Sequence, residues 1–388
     1  MAVGAGKKGI MFNRLYILTF FISLTILWGG CNSSAKRKDI ANSAPPKEIP
    51  EINDSDWNFE LIHRVTSGEK QWRIRCKNET FCWAWTTHSI LIGEGPNAWR
   101  DFYSVPRDSV TKTKIDSVFL ESPSLGWMVQ DSRLYKTEDG ARSWVRVSLP
   151  GIENADYSVA DIFFDKNHGQ LVGGRFQPTA KGDPLINTEV REGKIRIAFI
   201  LETVDGGVNW RFLQIPRLVG ALTELNYWSN AMGIASSRTN LLMTTDNGTN
   251  WTDMEKFFPV VESERGSFVS GFFRDDHIGW LLFVGLDFET YFTDNKGKSW
   301  SKADWKIESN SNDTSSFPPA PRFGFVDTMR GLFVYDHSMG GELFKTSDGG
   351  RTWAQINLPN ETFSDIVFTN NGLALVVGDS GVYRVTPK

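Results

Sequence analysis

TSDGGRTW, residues 346–353, sets a threonine, an aspartate, two glycines and a tryptophan within eight positions. The stretch recurs as TEDGARSW (137–144), TVDGGVNW (203–210), TTDNGTNW (244–251) and TDNKGKSW (293–300). The shared template is Thr, any, Asp, any, Gly, any, polar, Trp; Ala141 replaces the Gly in one copy and Asn295 the Asp in another. Recurrence at intervals of about 40–65 residues marks stacked supersecondary units, not a single site. Each copy occupies the same place in its unit. Upstream lie short apolar runs such as SVFLES, GWMVQ and RLYKT, and downstream lies one, WVRVSL. Such runs broken by Gly and Asx clusters read as strands, and four of them make a propeller blade.

The motif therefore falls in the turn between third and fourth strands. There Asp139, Asp205, Asp246, Asn295 and Asp348 can accept backbone N–H groups and close the turn. The Gly supplies a positive φ without a Cβ clash. Trp144, Trp210, Trp251, Trp300 and Trp353 open the outer strand and bury their rings, each indole N–H needing a partner. The recurring stretch reads as scaffold.

Counting units closes a ring. Residues 67–105 form an earlier unit whose motif is eroded to IGEGPNAW, with Trp99 retained. The last unit, 361–388, holds only FSDIVF, GLALVVGD and SGVYRVT before the chain ends. Its missing outer strand is supplied by DWNFELIHRV (56–65), with Trp57 in the motif position. The expected fold is all-β: a seven-bladed β-propeller of four-stranded antiparallel blades, the last closed by the N-terminal strand, which removes an open sheet edge.

Composition fits a globular chain: 388 residues, 40% hydrophobic and 23% charged, with 15 Trp and 35 Gly. A formal charge of −4 excludes the basic footprint of a nucleic-acid binder. Residues 1–30 read as a signal segment, with Lys7, Lys8 and Arg14 ahead of the apolar run 15–28 and then GGC at 29–31. That order is similar to a bacterial lipoprotein signal, with Cys31 as the lipidated residue, although Trp28 stands where a Leu is usual. Plain secretion is the competing reading. Removal of three positive and no negative charges leaves −7 on the mature chain. Residues 31–53 read as a flexible tether because Pro45, Pro46 and Pro50 forbid regular structure, leaving 54–388 for the propeller. Cys76 and Cys82 flank KNETF; in an oxidising compartment a disulfide fits this spacing, and so do two buried thiols.

In a propeller the loops joining strands two and three share a face with the interblade loops, opposite the motif turns. Function is expected on that motif-free side, at the channel mouth. Candidates there are His88, Asp131, Arg133, Arg175, Arg238, Asp287, Asp336, His337 and Asp379, with Arg107, Arg265 and Arg322 from interblade loops. Singly each is a solvated rim residue; together the arginines form a positive patch on an acidic protein. Residues 175–197 break the repeat and alternate around REGK, which predicts a protruding hairpin. The five His have no ligand spacing, GAGKKG (4–9) follows no strand, and no Cys is paired with a dedicated His, so neither metal, cofactor nor catalytic residue is assigned.

The repeated stretch is identified as the Asp box of bacterial neuraminidases, sortilin and related propellers, across residues 55–388. Sialidases of that group carry an F-R-I-P stretch before the first box, and QWRIRC (71–76) lacks its Pro. GWMVQDSRLYKTEDGARSW (126–144) and GLALVVGDSGVYRV (372–385) resemble the photosystem II assembly and stability factors of cyanobacteria and plastids, and IGWLLF (278–283) repeats their Gly-Trp strand start. The eroded first box and the insertion at 175–197 depart from them. This resemblance implies a non-catalytic, extracytoplasmic, lipid-anchored and monomeric propeller that binds a protein client, including a membrane protein. A sialidase-like glycoside hydrolase or carbohydrate-binding propeller is the alternative.

Overall fold

The computed structural model describes residues 54–388 apart from 67, 96, 106–112, 152–156, 179–189, 192–193, 230, 238–239, 255–256, 259–266, 285–287, 309–321, 338–339, 358–360 and 370–371. The signal segment, the tether and Cys31 therefore lie outside the described residues.

The strands assemble into seven sheets, each ordered from the channel outwards along the chain. The innermost strands of blades 1 to 7 are Arg73–Asn78, Ile115–Leu120, Tyr157–Asp165, Glu224–Tyr227, Ser267–Phe273, Arg322–Phe325 and Phe363–Phe368. Blade 7 has three C-terminal strands and takes its fourth from Trp57–Arg64, which runs antiparallel to Gly381–Pro387 from Trp57↔Pro387 to Arg64↔Gly381. The N-terminal strand closes the ring.

Alternation along the strands sends large apolar side chains into the gaps between neighbouring blades, so the core is a set of interblade clusters. Trp72, Ile74 and Leu91 of blade 1 meet Leu375, Val377 and Val382 of blade 7. Trp57 joins Leu343, Ile356 and Phe363 at the junction of blades 6 and 7 and is 1% exposed. The Gly that opens many second strands has a packing reason. A Cβ at Gly169 would lie 2.3 Å from the Phe164 ring and one at Gly279 2.4 Å from the Phe273 ring. The last aromatic of the first strand needs that space.

Two sheets depart from four strands. In blade 3, Val190–Arg191 adds to Lys194–Thr203. In blade 6, Lys306–Glu308 runs parallel along the outer strand Thr352–Gln355 and brings Trp305 to 4.9 Å from Trp353. This segment comes from the long connection after blade 5 and covers an edge that the repeat alone leaves bare.

Trp57→Ala removes a fully buried indole at the closure and is expected to cost about 3–5 kcal/mol, read by urea unfolding of the intact chain. Deleting residues 54–66 is expected to expose the edge of Gly381–Pro387 and give aggregation; unchanged melting of the truncated chain would show that closure lies elsewhere.

Candidate functional site

The five box turns share one geometry. A buried Thr hydroxyl (Thr137, Thr203, Thr244, Thr293, Thr346) accepts the N–H four residues on at 2.9–3.0 Å and donates to the Asp or Asn at 2.7–3.0 Å. The Asp or Asn in turn accepts the backbone N–H of Ser143, Asn209, Asn250, Ser299 or Thr352 at 2.9–3.0 Å. Ala141, at φ +63°, takes the left-handed conformation that Gly207 holds in its own copy at +86°. The side chain and backbone N–H of Ser143 hold the Asp139 carboxyl at about 2, and Asn209 does the same for Asp205. For Asp246 and Asp348 partial burial opposes the charge, but the bonds from Asn250 and Thr352 outweigh it and lower both. The expected indole partners are found for two of the five Trp; the N–H groups of Trp144, Trp251 and Trp353 have none among the described residues. Trp210 and Trp300 donate to the Gly207 and Gly297 carbonyls at 3.1 Å, whereas the Gly248 carbonyl beside Trp251 is taken by Gln170 at 3.0 Å.

The inner strands of all seven blades enclose a channel of about 1070 Å³. Its polar half is built by irregularities in these strands. The ladder shifts register just before Ser117, Asp161, Ser270 and Asp365, and each of these turns buried into the ring. Asp161 accepts the N–H of Ile162 at 2.8 Å and, from blade 4, that of Leu225 at 2.9 Å. Asp365 repeats the pattern with Ile366 at 2.9 Å and, from blade 1, Ile74 at 3.1 Å. Each carboxylate thus fastens its blade to the next.

Two arginines tie these fastenings across the channel. Arg75 donates to Asp161 at 2.7 Å, to the Ile162 carbonyl at 3.1 Å and to the Leu225 carbonyl at 3.3 Å. Arg322 makes a two-pronged pair with Glu224 at 3.0 Å and lies 3.6 Å from Asp365. Burial works against the Arg322 charge, yet Glu224 and Asp365 raise its pKa; burial also raises Asp365, against the pull of Arg322. Arg73, two residues from Arg75 on the same face, is half-buried in the channel wall and has no hydrogen bond or ion pair among the described residues. On the box side the lining turns aromatic, with Phe163 stacked on Tyr227 at 4.3 Å and Phe272 5.7 Å from Phe368.

The candidates read from the sequence fall in different places. Arg133 is exposed and lines a cleft of about 360 Å³ with Arg146. Arg175 lies on the second strand of blade 3 with its guanidinium 5.0 Å above the Phe212 ring. Arg322 opens an inner strand instead of standing in a loop, and it is consumed by its carboxylate partners. Asp131 accepts the Lys114 N–H at 3.1 Å, His88 pairs with the Thr87 hydroxyl at 2.9 Å, and Asp379 pairs with Lys70 at 3.2 Å. Asp336 and His337 close the ladder against Gly341 and Gly340; their side chains, like Arg107, Arg238, Arg265 and Asp287, lie outside the described residues. The insertion does continue the hairpin out to Pro178↔Lys194. Its base is packed, not free, because Ile195 and Ile197 are buried and the Leu218–Leu222 segment bonds to it. Cys76 and Cys82 are bonded at 2.03 Å.

The channel residues Arg73, Arg75, Ser117, Asp161, Ser270 and Asp365 were not among the sequence candidates. Their signal is a polar residue set into the first apolar run of a unit, as in DSVFL, ADIFF, VSGFF and SDIVF. Among the described residues no group of three His, Cys, Asp or Glu is placed to hold a metal.

No family model matches the chain. The photosystem II assembly lipoprotein Ycf48 of Trichormus variabilis is 24% identical over 300 residues, covering 69% of this chain and 81% of that protein. A solved structure of YCF48 bound to D1 peptide superposes with a TM-score of 0.55 at 16% identity, over 88% of this chain and all of that one. The chain resembles the Ycf48 assembly proteins. Virginiamycin B lyase of Staphylococcus aureus shares the fold as well, at a TM-score of 0.53 and 11% identity over 85% of this chain and 99% of that one, so the architecture alone does not separate binder from enzyme.

Asp348→Ala is expected to cost about 1 kcal/mol, as loss of a comparable capping side chain does. Asp161→Ala, which strands Arg75, is expected to cost about 3–5 kcal/mol; equal losses in urea unfolding would contradict the two roles. Because the box carboxyls titrate below their unfolded value, they stabilise the fold above about pH 4, and this contribution fades as pH falls towards 2. Replacing Asp139, Asp205, Asp246 and Asp348 with Asn is expected to flatten stability against pH in that window.

Proposed function

We propose that this chain is a non-catalytic binding propeller, tethered to a membrane, that holds a segment of a membrane-protein client at the box-free mouth of its channel. The observation that carries this reading is the division of the charged groups. The carboxylates set deepest in the channel, Asp161, Asp365 and Glu224, are taken up by backbone N–H groups or by Arg75 and Arg322, which leaves these three unsuited to acid–base work on a substrate. Arg73, Arg133 and Arg175 make no ion pair among the described residues and occupy blades 1, 2 and 3 on or near one face. A planar guanidinium suits carboxylate and carbonyl acceptors of an extended peptide. The relatives are named as photosystem II assembly lipoproteins, and a neighbour in fold is solved with D1 peptide.

The finer parts of the reading follow from the sequence. Acylation of Cys31 holds the mature chain at the extracytoplasmic side of a bacterial membrane, and residues 31–53 give it reach. The described chain begins at the box face, since Trp57 pairs with Pro387 where the third strand ends. Residue 54 therefore stands on the side opposite the proposed client face. The propeller acts as a monomer, with neither cofactor nor metal. Arg107, Arg238 and Arg265 remain sequence candidates for the same patch.

Arg133→Glu with Arg175→Glu is expected to weaken binding of a labelled D1 peptide about tenfold, at unchanged melting temperature, in fluorescence anisotropy. Unchanged affinity in the double variant, or glycoside turnover abolished by a single acidic substitution, would refute the reading. Cys31→Ser is expected to move the chain from the membrane pellet to the soluble extracytoplasmic fraction; an unmodified mature N-terminus by mass spectrometry would refute acylation.

A further inference from the structure

We propose that the Cys76–Cys82 disulfide is a redox clip that regulates the client site: closed, it holds the channel wall of blade 1 in its binding form, and a dithiol releases it. This rests on the channel-mouth reading above. The bond joins the innermost strand Arg73–Asn78 to the second strand Phe81–Trp85. It sits where the ladder fails. Pairing runs regularly from Arg73↔Trp85 to Cys76↔Cys82 and then skips a residue before Asn78↔Phe81. Past Cys76 only the Asn78↔Phe81 pair joins this strand to its blade, so the covalent bond does the work that missing hydrogen bonds would do.

The same short strand carries the contacts of blade 1 to four other blades. Ile74 donates to Asp365 of blade 7, and Arg75 to Asp161 of blade 3 and to Leu225 of blade 4. Lys77 pairs with Glu121 of blade 2. Arg73, whose guanidinium makes no ion pair among the described residues, begins it. A change in how this strand is fixed is felt at every one of these points, because close-packed strands do not yield independently.

The bond is reachable from one side. Cys76 lines the channel and is half-buried, whereas Cys82 is 4% exposed in the apolar cluster between blades 1 and 7. A thiolate of a dithiol, such as dithiothreitol or a protein with two vicinal thiols, attacks the Cys76 sulfur. The S–S bond breaks and its electron pair leaves on Cys82, which takes a proton. The second thiol of the reagent then displaces Cys76 as the reagent closes its own disulfide. Two electrons and two protons pass from the dithiol to the protein, which ends with two thiols. The covalent link between the first and second strands of blade 1 is then gone. Cys82 is buried within its cluster and Cys76 only packs against the edge of it, so the inner strand is the one given freedom to move.

The test uses the mature chain carrying Cys31→Ser, so that no third thiol interferes. Affinity for labelled D1 peptide is measured for oxidised protein, for protein reduced with dithiothreitol, and for the Cys76→Ser, Cys82→Ser double variant; hydrogen exchange of residues 73–78 is followed on the same samples. Reduction and the double substitution are both expected to weaken binding at least fivefold and to speed exchange of this strand at least tenfold, and reoxidation is expected to restore only the protein that keeps its cysteines. Unchanged exchange in protein whose two thiols both alkylate would overturn the clip, as would an equal effect of dithiothreitol on the double-serine variant. If oxidised protein fails to bind the peptide, the functional reading falls, while the exchange measurement still decides the clip. Faster exchange at unchanged affinity would overturn the regulatory role.

Discussion

A ring of sheets holds only where its first and last members meet, and here they meet through one strand exchange. Trp57–Arg64 adds to the C-terminal strand of blade 7, so hydrogen bonds and a buried indole, not side-chain packing alone, lock the circle. Every interblade cluster depends on this closure, because each blade buries its faces only between two neighbours. The seam next to it is fastened by polar and apolar contacts together: Asp365 takes the Ile74 N–H across it, the apolar cluster of Trp72 and Val377 fills it, and the disulfide lies beside it.

Closure brings seven inner strands together, and their polar groups then have to be satisfied within a narrow space. Asp161 and Asp365 do this by the same device in blades 3 and 7, each turned inward at a break in its ladder and each receiving one N–H from its own blade and one from the next. Arg75 and Arg322 compensate the buried negative charge, and the geometry of a guanidinium lets each reach several blades at once. Replacing a buried ion pair by apolar residues is often neutral to stability, whereas removing one partner alone is costly. Arg75 joins blades 1, 3 and 4, and Arg322 joins blades 4, 6 and 7.

The two faces of the ring divide the labour. On the box side, carboxylates with depressed pKa values close turns and have their acceptors filled from within the same eight residues. On the other side, Arg133 and Arg175 stand without carboxylate partners among the described residues, and the base of the blade 3 hairpin is held by the Leu218–Leu222 segment. Rings of similar fold serve enzymes and binders, so the distinction between them lies in what the channel groups are free to do.

The sequence by itself determined the repeat, the number of blades, the place of the box turns and the strand exchange at the termini. These are local or periodic properties: a turn that needs Asp and Gly at fixed offsets, and apolar runs of strand length, show in any single unit. Even the polar residue inside an inner strand, Ser117 or Asp365, leaves a trace as an interruption of an apolar run. What it meets does not. The partners of Asp161 come from residues 75, 117, 162 and 225, and no pattern within one repeat records which blades will face each other across a channel. The same holds for Arg322, which reads as a loop residue in its unit and becomes a buried counter-ion once Glu224 and Asp365 are brought to it. Tertiary structure decided the channel because its electrostatics arise between repeats, where distance along the chain says nothing about distance in space.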